Sequence, residues 1–555
     1  MKTFNSRYLS YQEIAQEFVL TKNFQELKKC CHSILLGTRG CGKTTMLKML
    51  HPYAVREYQK LYTEFGLDFY GVYIPADRQW SIILDQLSKE TQNIAFYERV
   101  SRALVNVNIL LAFIDTLKAL FEDEQFDSSS KMDYLSLLVK AWKLDNTPPV
   151  LEVIRISLKS IIIDVKNAIS ESNFNYDFPF ACKANFEDTI SLAIEVFSSK
   201  FEFAKKKWAL CFDEMEIAPS WLQDKIVNVC FRSMDQSILF KITATPDWRV
   251  QNYESKSPSE SNDFEIIKCW NCNYSSIQDW KVFCDSVIEG QVLSKYKISQ
   301  DDFFKLISDT QKQDLNFFFK KLPKVDKGFN AVFHKENYDE INGVIKIKNW
   351  IQRKAKYKYP ILYCRYSWFT KEHQTSTPFE NVYLGEWLLY RMADGNPRLF
   401  CNILDDIVLC LLSDKGKLIQ RMPAIRDIIK SYSRHVFESS FFIQEEYDTE
   451  YGNFSFEEIV SKIGEFFQES LLSEDYNPYP VTFFSVSKKS SLQTFLKNAL
   501  EQGLVIKVDD EMVGLIDGEN GAYRLSYMLY PYFHIVQAMS KNIISLDEIL
   551  KNKEK

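Results

Sequence analysis

The sequence predicts an α/β fold in which a mostly parallel, doubly wound sheet carries a phosphate site at the carboxyl ends of its strands. Three observations predict it. Five short apolar runs, His32–Leu36, Phe69–Pro75, Trp208–Phe212, Ile238–Ala244 and Phe264–Cys269, are separated by stretches that include helical periodicity. The first run feeds the glycine-rich stretch Gly37-Thr38-Arg39-Gly40-Cys41-Gly42-Lys43-Thr44-Thr45, and an apolar-periodic helix follows (Met46, Leu47, Met49, Leu50). The third run ends in Asp213-Glu214.

The glycine-rich stretch matches the phosphate-binding pattern G-x-x-x-x-G-K-[ST] in the strand–turn–helix setting that the pattern requires. Gly37, Gly40 and Gly42 permit backbone angles that turn successive N–H groups inward toward phosphate oxygens. Lys43 adds a point charge for the β- and γ-phosphates, Thr44 offers a hydroxyl to Mg²⁺, and the N-terminus of the next helix favours anions. The pattern predicts binding of a nucleoside triphosphate by residues 37–45.

Before the loop, residues 1–32 read as two short helices, Tyr11–Phe18 and Phe24–Cys31. Phe18 and Phe24 are placed either to pack on an adenine base or to serve as ordinary core aromatics. After the second run, helical patterns extend from about Trp80 to Leu120, over Met132–Trp142 and over Leu151–Glu171. They are broken at Phe121–Ser130 and at Asn146-Thr147-Pro148-Pro149. Residues 90–180 thus read as a helical insertion within the α/β domain. In the third run, Asp213 would hold a water on Mg²⁺ and Glu214 would polarise the attacking water. A strand ending in two acids is also a common surface turn, and the upstream loop favours the chemical reading. Glu216 is a second candidate acid. On the fourth run, Thr245 is the first choice and Thr243 the second for a residue that touches the γ-phosphate or lytic water, although threonine suits strands in any case.

Between Gly343 and Phe369 seven cations (Lys346, Lys348, Arg353, Lys354, Lys356, Lys358, Arg365) occur without an acid. Trp350, Tyr357, Tyr359, Tyr363, Tyr366 and Trp368 are interleaved with them. That mixture suits a nucleic-acid backbone with stacked bases, and equally a solvated amphipathic hairpin. Further on, Gly395-Asn396-Pro397-Arg398 stops one helix and starts another, projecting Arg398 from a first turn. From about Ser455, helices 456–472 and 490–502 and strands 504–508 and 522–527 predict a winged helix-turn-helix. Its candidate recognition helix carries Lys497, with Lys488 and Lys489 just before it, while its wing holds Asp509, Asp510, Glu511, Asp517 and Glu519. Those acids would repel phosphates, which sets protein contact against DNA contact.

Composition bounds the rest. A chain of 555 residues, 46% apolar and 26% charged, reads as globular with about three or four domains. A formal charge of −6 gives no overall basic character, so any nucleic-acid contact must be local. The N-terminus lacks a signal-peptide core, and the longest apolar run, near Ala103–Ile114, is too short to span a bilayer. A cytoplasmic location with no membrane partner is expected. The twelve cysteines read as reduced thiols. Cys269 and Cys272 form the one close pair, without the second pair that a zinc site needs.

Taken together, Gly37–Thr44, Asp213-Glu214, the threonines Thr243 and Thr245, Gly395-Asn396-Pro397-Arg398 and the C-terminal pattern resemble the AAA+ ATPases of the origin-recognition type. The resemblance implies a P-loop αβα sheet (residues 1–275), a helical lid (276–425) and a C-terminal winged helix (426–555). It also implies ATP and Mg²⁺ as cofactors, Thr44 and Asp213 at the metal, and Lys43, Glu214, Thr243 or Thr245 and Arg398 in catalysis. Arg398 would close the lid over ATP and drive self-association or partner engagement. No arginine finger is clear; Arg232 and Arg249 are candidates. Relatives include initiators, mobile-element regulators and ATPases of defence systems. The helical insertion, the extra lid segment and the acidic wing depart from the initiator pattern. The expected function is therefore an ATPase switch of a defence or mobile-element system engaging DNA or a protein. A DNA-binding initiator or transposition regulator, and a scaffold with little hydrolysis, are the alternatives.

Overall fold

The computed structural model describes residues 8–81, 93–144, 146–233, 237–248, 263–270, 273–309, 313–370, 378–487, 490–509, 521–537 and 542–551. It forms two compact units. One comprises Phe4–Gly37 and Gly42–Cys269; the other contains Thr38–Cys41, the tip of the glycine-rich loop, together with Trp270–Lys555.

The first unit is built on a five-stranded sheet of β1 (Ser33–Leu36), β2 (Phe69–Pro75), β3 (Lys207–Asp213), β4 (Ile238–Ala244) and β5 (Glu265–Lys268), in the order β2-β3-β4-β1-β5. Every neighbouring pair is parallel. Strands β3 and β4 are buried almost end to end, as central strands covered on both faces must be, and this explains their unbroken apolar runs. Because all five run the same way, their carboxyl ends meet at one edge. Leu36 is level with Ala244, Phe212 with Ile242, and Pro75 with Asp213.

The expected helices 90–180 appear as Ile94–Phe121, Ser128–Ala141 and Leu151–Ser170, and the helical region continues through Phe186–Lys200. These helices do not stand apart from the sheet. The Phe113 ring lies 4.7 Å from Trp208 on β3, and Phe197 lies 5.2 Å from the same indole. Asp127 caps the second of these helices by accepting from the Ser130 N–H, so the polar break at Phe121–Ser130 is a helix start. Helix Ile94–Phe121 is longer than its densest apolar run suggests, and its length and composition alone would let it cross a membrane. However, 78% of its apolar window is buried inside the protein, which is how a core helix passes that test. The described cysteines are free thiols; Cys269 is buried, and Cys272 lies outside the described residues.

Phe18 and Phe24 meet edge to face at 4.7 Å and share a cluster with Tyr58 and Phe65. Phe24 is fully buried. Phe18 beside it is half-buried.

In the second unit, helices alternate with two small hairpins, β6 (Tyr338–Ile341) with β7 (Val344–Ile347) and β8 (Glu446–Thr449) with β9 (Gly452–Ser455). A four-stranded sheet closes the chain: β10 (Phe483–Val486), β11 (Val505–Val508), β12 (Gly521–Leu525) and β13 (Ile543–Ser545), in the order β11-β12-β10-β13. Strand β12 pairs antiparallel with β10 on one side and β11 on the other, while β13 adds to β10 in parallel. The expected helices 456–472 and 490–502 appear as Phe456–Leu472 and Gln493–Gln502, the latter between β10 and β11. Lys497 is exposed on that helix. Lys488, Lys489, Asp510, Glu511, Asp517 and Glu519 lie outside the described residues, and Asp509 accepts from Asn273 Nδ2 at 2.9 Å.

The acid-free segment Gly343–Phe369 looks different once folded. Lys348 pairs with Asp339 at 3.2 Å, and Arg353 and Lys356 pair with Glu336 at 3.5 and 3.1 Å. Arg365 is wholly buried, forked onto Asp326 at 2.6 and 2.9 Å and donating to the Leu471 carbonyl at 2.8 Å. Tyr357 and Tyr363 are buried, and Trp350 stacks parallel to Tyr357. Four of the seven cations are thus held by acids from just outside the segment. Lys346 and Lys354 remain exposed, and Lys358 lies over the Tyr479 ring at 5.2 Å.

Candidate functional site

Strand β1 ends at Leu36, and Gly37 N–H donates to the Ala244 carbonyl at 3.1 Å, so the loop leaves the sheet tied to β4. The left-handed conformations fall at Gly40 (φ 89°) and Gly42 (φ 92°), where a side chain would be strained. Helix Lys43–Lys48 begins directly after Gly42. Lys43 is buried, and its ammonium donates back to the Gly37 carbonyl, bridging the mouth of the loop.

Asp213, at the tip of β3, is 4% exposed and accepts three hydroxyls. Thr44 Oγ1 donates to Oδ2 at 2.7 Å, Tyr73 OH to the same oxygen at 2.9 Å, and Thr243 Oγ1 to Oδ1 at 2.7 Å. Thr243 Oγ1 also accepts from the Glu214 N–H at 2.9 Å. That bond holds Glu214 in the left-handed region (φ 56°), which a residue with a Cβ occupies at a cost. One threonine therefore orders both acids. Thr245, one step beyond β4, is buried, and Thr45 is buried in the first turn of the loop helix.

Electrostatics sharpen the picture. Burial pushes the Glu216 carboxyl up to about 7; its own backbone N–H and the Lys43 ammonium pull it down, while Glu214 and Asp213 add to the rise. Burial lowers the Lys48 ammonium, and the Asp213 charge opposes that. Burial, then the Asp213 charge, raises the Tyr73 phenol. Tyr73 and Lys48 are members of the cluster that sequence reasoning missed. Their only signal is a hydroxyl near the end of an apolar strand and a lysine in the last turn of the loop helix.

The Thr44 hydroxyl and the Asp213 carboxylate, 2.7 Å apart, are hard oxygen donors of the kind Mg²⁺ prefers, with its remaining positions left to water and phosphate. Among the described residues no group of three or more His, Cys, Asp or Glu forms a metal cage. The donor set fits an ion shared with a nucleotide.

Thr38–Cys41 belong to the second unit. There, Asn396 Nδ2 donates to the Arg39 carbonyl at 2.9 Å, and the Arg398 N–H donates to the Gly40 carbonyl at 3.4 Å. Asn396 Oδ1 accepts from the Leu399 N–H and caps helix Pro397–Leu411. The Arg398 side chain is exposed on the first turn. Arg232 pairs with Asp263 at 3.3 Å, and Arg249 lies outside the described residues.

A five-stranded parallel sheet in this order, a phosphate loop after β1 and an acidic tip on β3, with β4 between the two strands, define an AAA+ protein of the P-loop class. The family model described as ORC-CDC6-like matches residues 1–546. The chain belongs to that family, an AAA+ clade of ATPase-type, nucleotide-driven proteins. No curated protein and no solved structure matches it.

Proposed function

We propose that the chain binds ATP with Mg²⁺ between the phosphate loop and β3, hydrolyses it, and uses the cycle as a switch. The observation that carries this is the 2.7 Å contact of Thr44 Oγ1 with Asp213, which sets the two Mg²⁺-side groups together beside Lys43. In this reading Gly37–Thr45 cradle the phosphates and Lys43 neutralises them. Thr44 and Asp213 hold Mg²⁺, which supplies charge neutralisation at the phosphates. Glu214 takes the proton of the attacking water, and Thr243 or Thr245 contacts the γ-phosphate or that water.

The three-part division at 275 and 425 and the winged-helix reading of residues 426–555 stand as part of the proposal. Arg398 is assigned to sense the γ-phosphate. Arg398→Ala should lower turnover and weaken any ATP-dependent assembly, read by phosphate release and by size-exclusion light scattering. Normal values of both would make Arg398 a plain helix-start residue.

The partner we favour is a protein, in the setting of a defence or mobile-element system, with self-association as part of the switch. Support comes from the ion pairs that Glu336, Asp339 and Asp326 make with the basic segment, which leave it few free charges for phosphates. A DNA-binding regulator is the second reading, supported by exposed Lys346, Lys354 and Lys497. Fluorescence anisotropy on duplex and single strands at two salt concentrations separates them, because phosphate contacts weaken steeply with salt. Salt-sensitive binding that needs ATP would move the conclusion to DNA.

A further inference from the structure

The Asp394-Gly395-Asn396 turn carries a second connection that the ATP site does not explain. Asp394 and Gly395 are both left-handed (φ 53° and 79°), and the Asp394 carboxylate is buried against β12. Arg524 forks onto it, Nη1 to Oδ2 at 2.7 Å and Nη2 to Oδ1 at 2.6 Å, and the Tyr527 N–H donates to it at 3.0 Å. The Arg524 Cζ lies over the Tyr527 ring, 3.9 Å from its centroid. Side-chain exposures of 1% and 5% leave this pair no freedom to turn. Two residues on, Asn396 holds the Arg39 carbonyl and the Arg398 N–H holds the Gly40 carbonyl. The fit is tight: a Cβ on Gly40 would lie 2.8 Å from Asn396 Oδ1. Gly503, which ends helix Gln493–Gln502 just before β11, sits on the other side, where a Cβ would rest 3.7 Å from Thr38 Cγ2.

The consequence follows from the planar trans peptide. A carbonyl held toward Asn396 turns the N–H of the same peptide the opposite way. Fixing the Arg39 carbonyl therefore points the Gly40 N–H away from Asn396, and with the Gly40 carbonyl held by Arg398 the Cys41 N–H donates to the Thr38 carbonyl at 3.4 Å.

We propose that Arg524 and Asn396 are positioning residues for the phosphate loop: the C-terminal sheet, through Asp394, sets the loop carbonyls and thereby preorganises the N–H groups that receive phosphate. This deepens the ATP-binding reading and rests on it. Anything that docks on the C-terminal sheet and disturbs Arg524 then changes ATP affinity without touching nucleotide.

The test is a titration of the full chain with a fluorescent ATP analogue, with thermal melting followed by circular dichroism. Asn396→Asp keeps the oxygen that caps Leu399 but cannot donate to Arg39, whereas Asn396→Ala loses both. Both should weaken analogue binding about three- to tenfold, the weight of one hydrogen bond, with Asn396→Asp melting like wild type. Arg524→Gln should weaken binding at least as much, and combining it with Asn396→Asp should add less than the sum, because both act on one connection. Wild-type affinity in Asn396→Asp would overturn the inference and reduce Asn396 to a helix cap. Full additivity would overturn the role of Arg524. Should Arg524→Gln fail to fold, the two Asn396 variants decide alone. A wild type that binds no analogue would overturn the ATP reading itself, a different result from equal binding by all variants.

Discussion

Lys43→Ala is expected to abolish ATP binding. Its ammonium is buried and bridges back to the Gly37 carbonyl at the loop mouth, and the backbone N–H groups of the loop are neutral donors. A unit charge about 4 Å from a phosphate oxygen is worth about 4 kcal/mol at an effective dielectric of about 20, close to a thousandfold in Kd. Asp213 nearby makes the loss worse, because its negative charge would then face the phosphates with one cation fewer. Calorimetric titration with MgATP reads the effect. Micromolar affinity retained in Lys43→Ala would remove the loop from the account.

The second large effect concerns chemistry. Glu214→Gln should leave ATP bound and slow hydrolysis by about a hundredfold or more, the weight of general-base assistance. Glutamine keeps the backbone N–H that Thr243 holds at 2.9 Å, so the loss isolates the carboxylate. Glu216 is the natural competitor. With a pKa raised to about 7 by burial, it is protonated at lower pH and becomes a base only as pH rises. If it carried the role, turnover in Glu214→Gln would persist, climb between about pH 6 and 8, and vanish in Glu216→Gln. If Glu214 carries it, Glu214→Gln is slow across that range.

The fold of the first unit was legible because its signals are local. The loop places its glycines, lysine and threonine within nine residues, and each central strand is one apolar run with chemistry at its end. The second unit was less legible because its decisive pairs are distant in sequence. Asp394 and Arg524 are 130 residues apart, and neither carries a local pattern. The basic segment misled for a related reason. Its acids, Asp326, Glu336 and Asp339, lie upstream of Gly343, and the β6–β7 hairpin folds the last of them back, setting Asp339 opposite Lys346. Charge counted along a window missed neutralisation across a hairpin. The short strands β10 and β13 were hidden too, since strands of four and three residues, each with a serine, give no period to read.

Within the site, the acidic tip was legible but its ordering was not. A threonine one residue from a strand end is ordinary by propensity. Only the parallel register, which sets Phe212 beside Ile242, shows Thr243 within reach of both Asp213 and Glu214. Tyr73 reaches Asp213 from β2 for the same reason.

The central claim is that this site takes a Mg²⁺-bound nucleoside triphosphate. Calorimetric titration of the full wild-type chain with ATP, with Mg²⁺ and again with excess chelator, tests it most directly. The account predicts saturable binding of one ATP per chain that weakens when Mg²⁺ is removed, because Thr44 and Asp213 then face the triphosphate without the ion between them. Absence of binding in both conditions would contradict it.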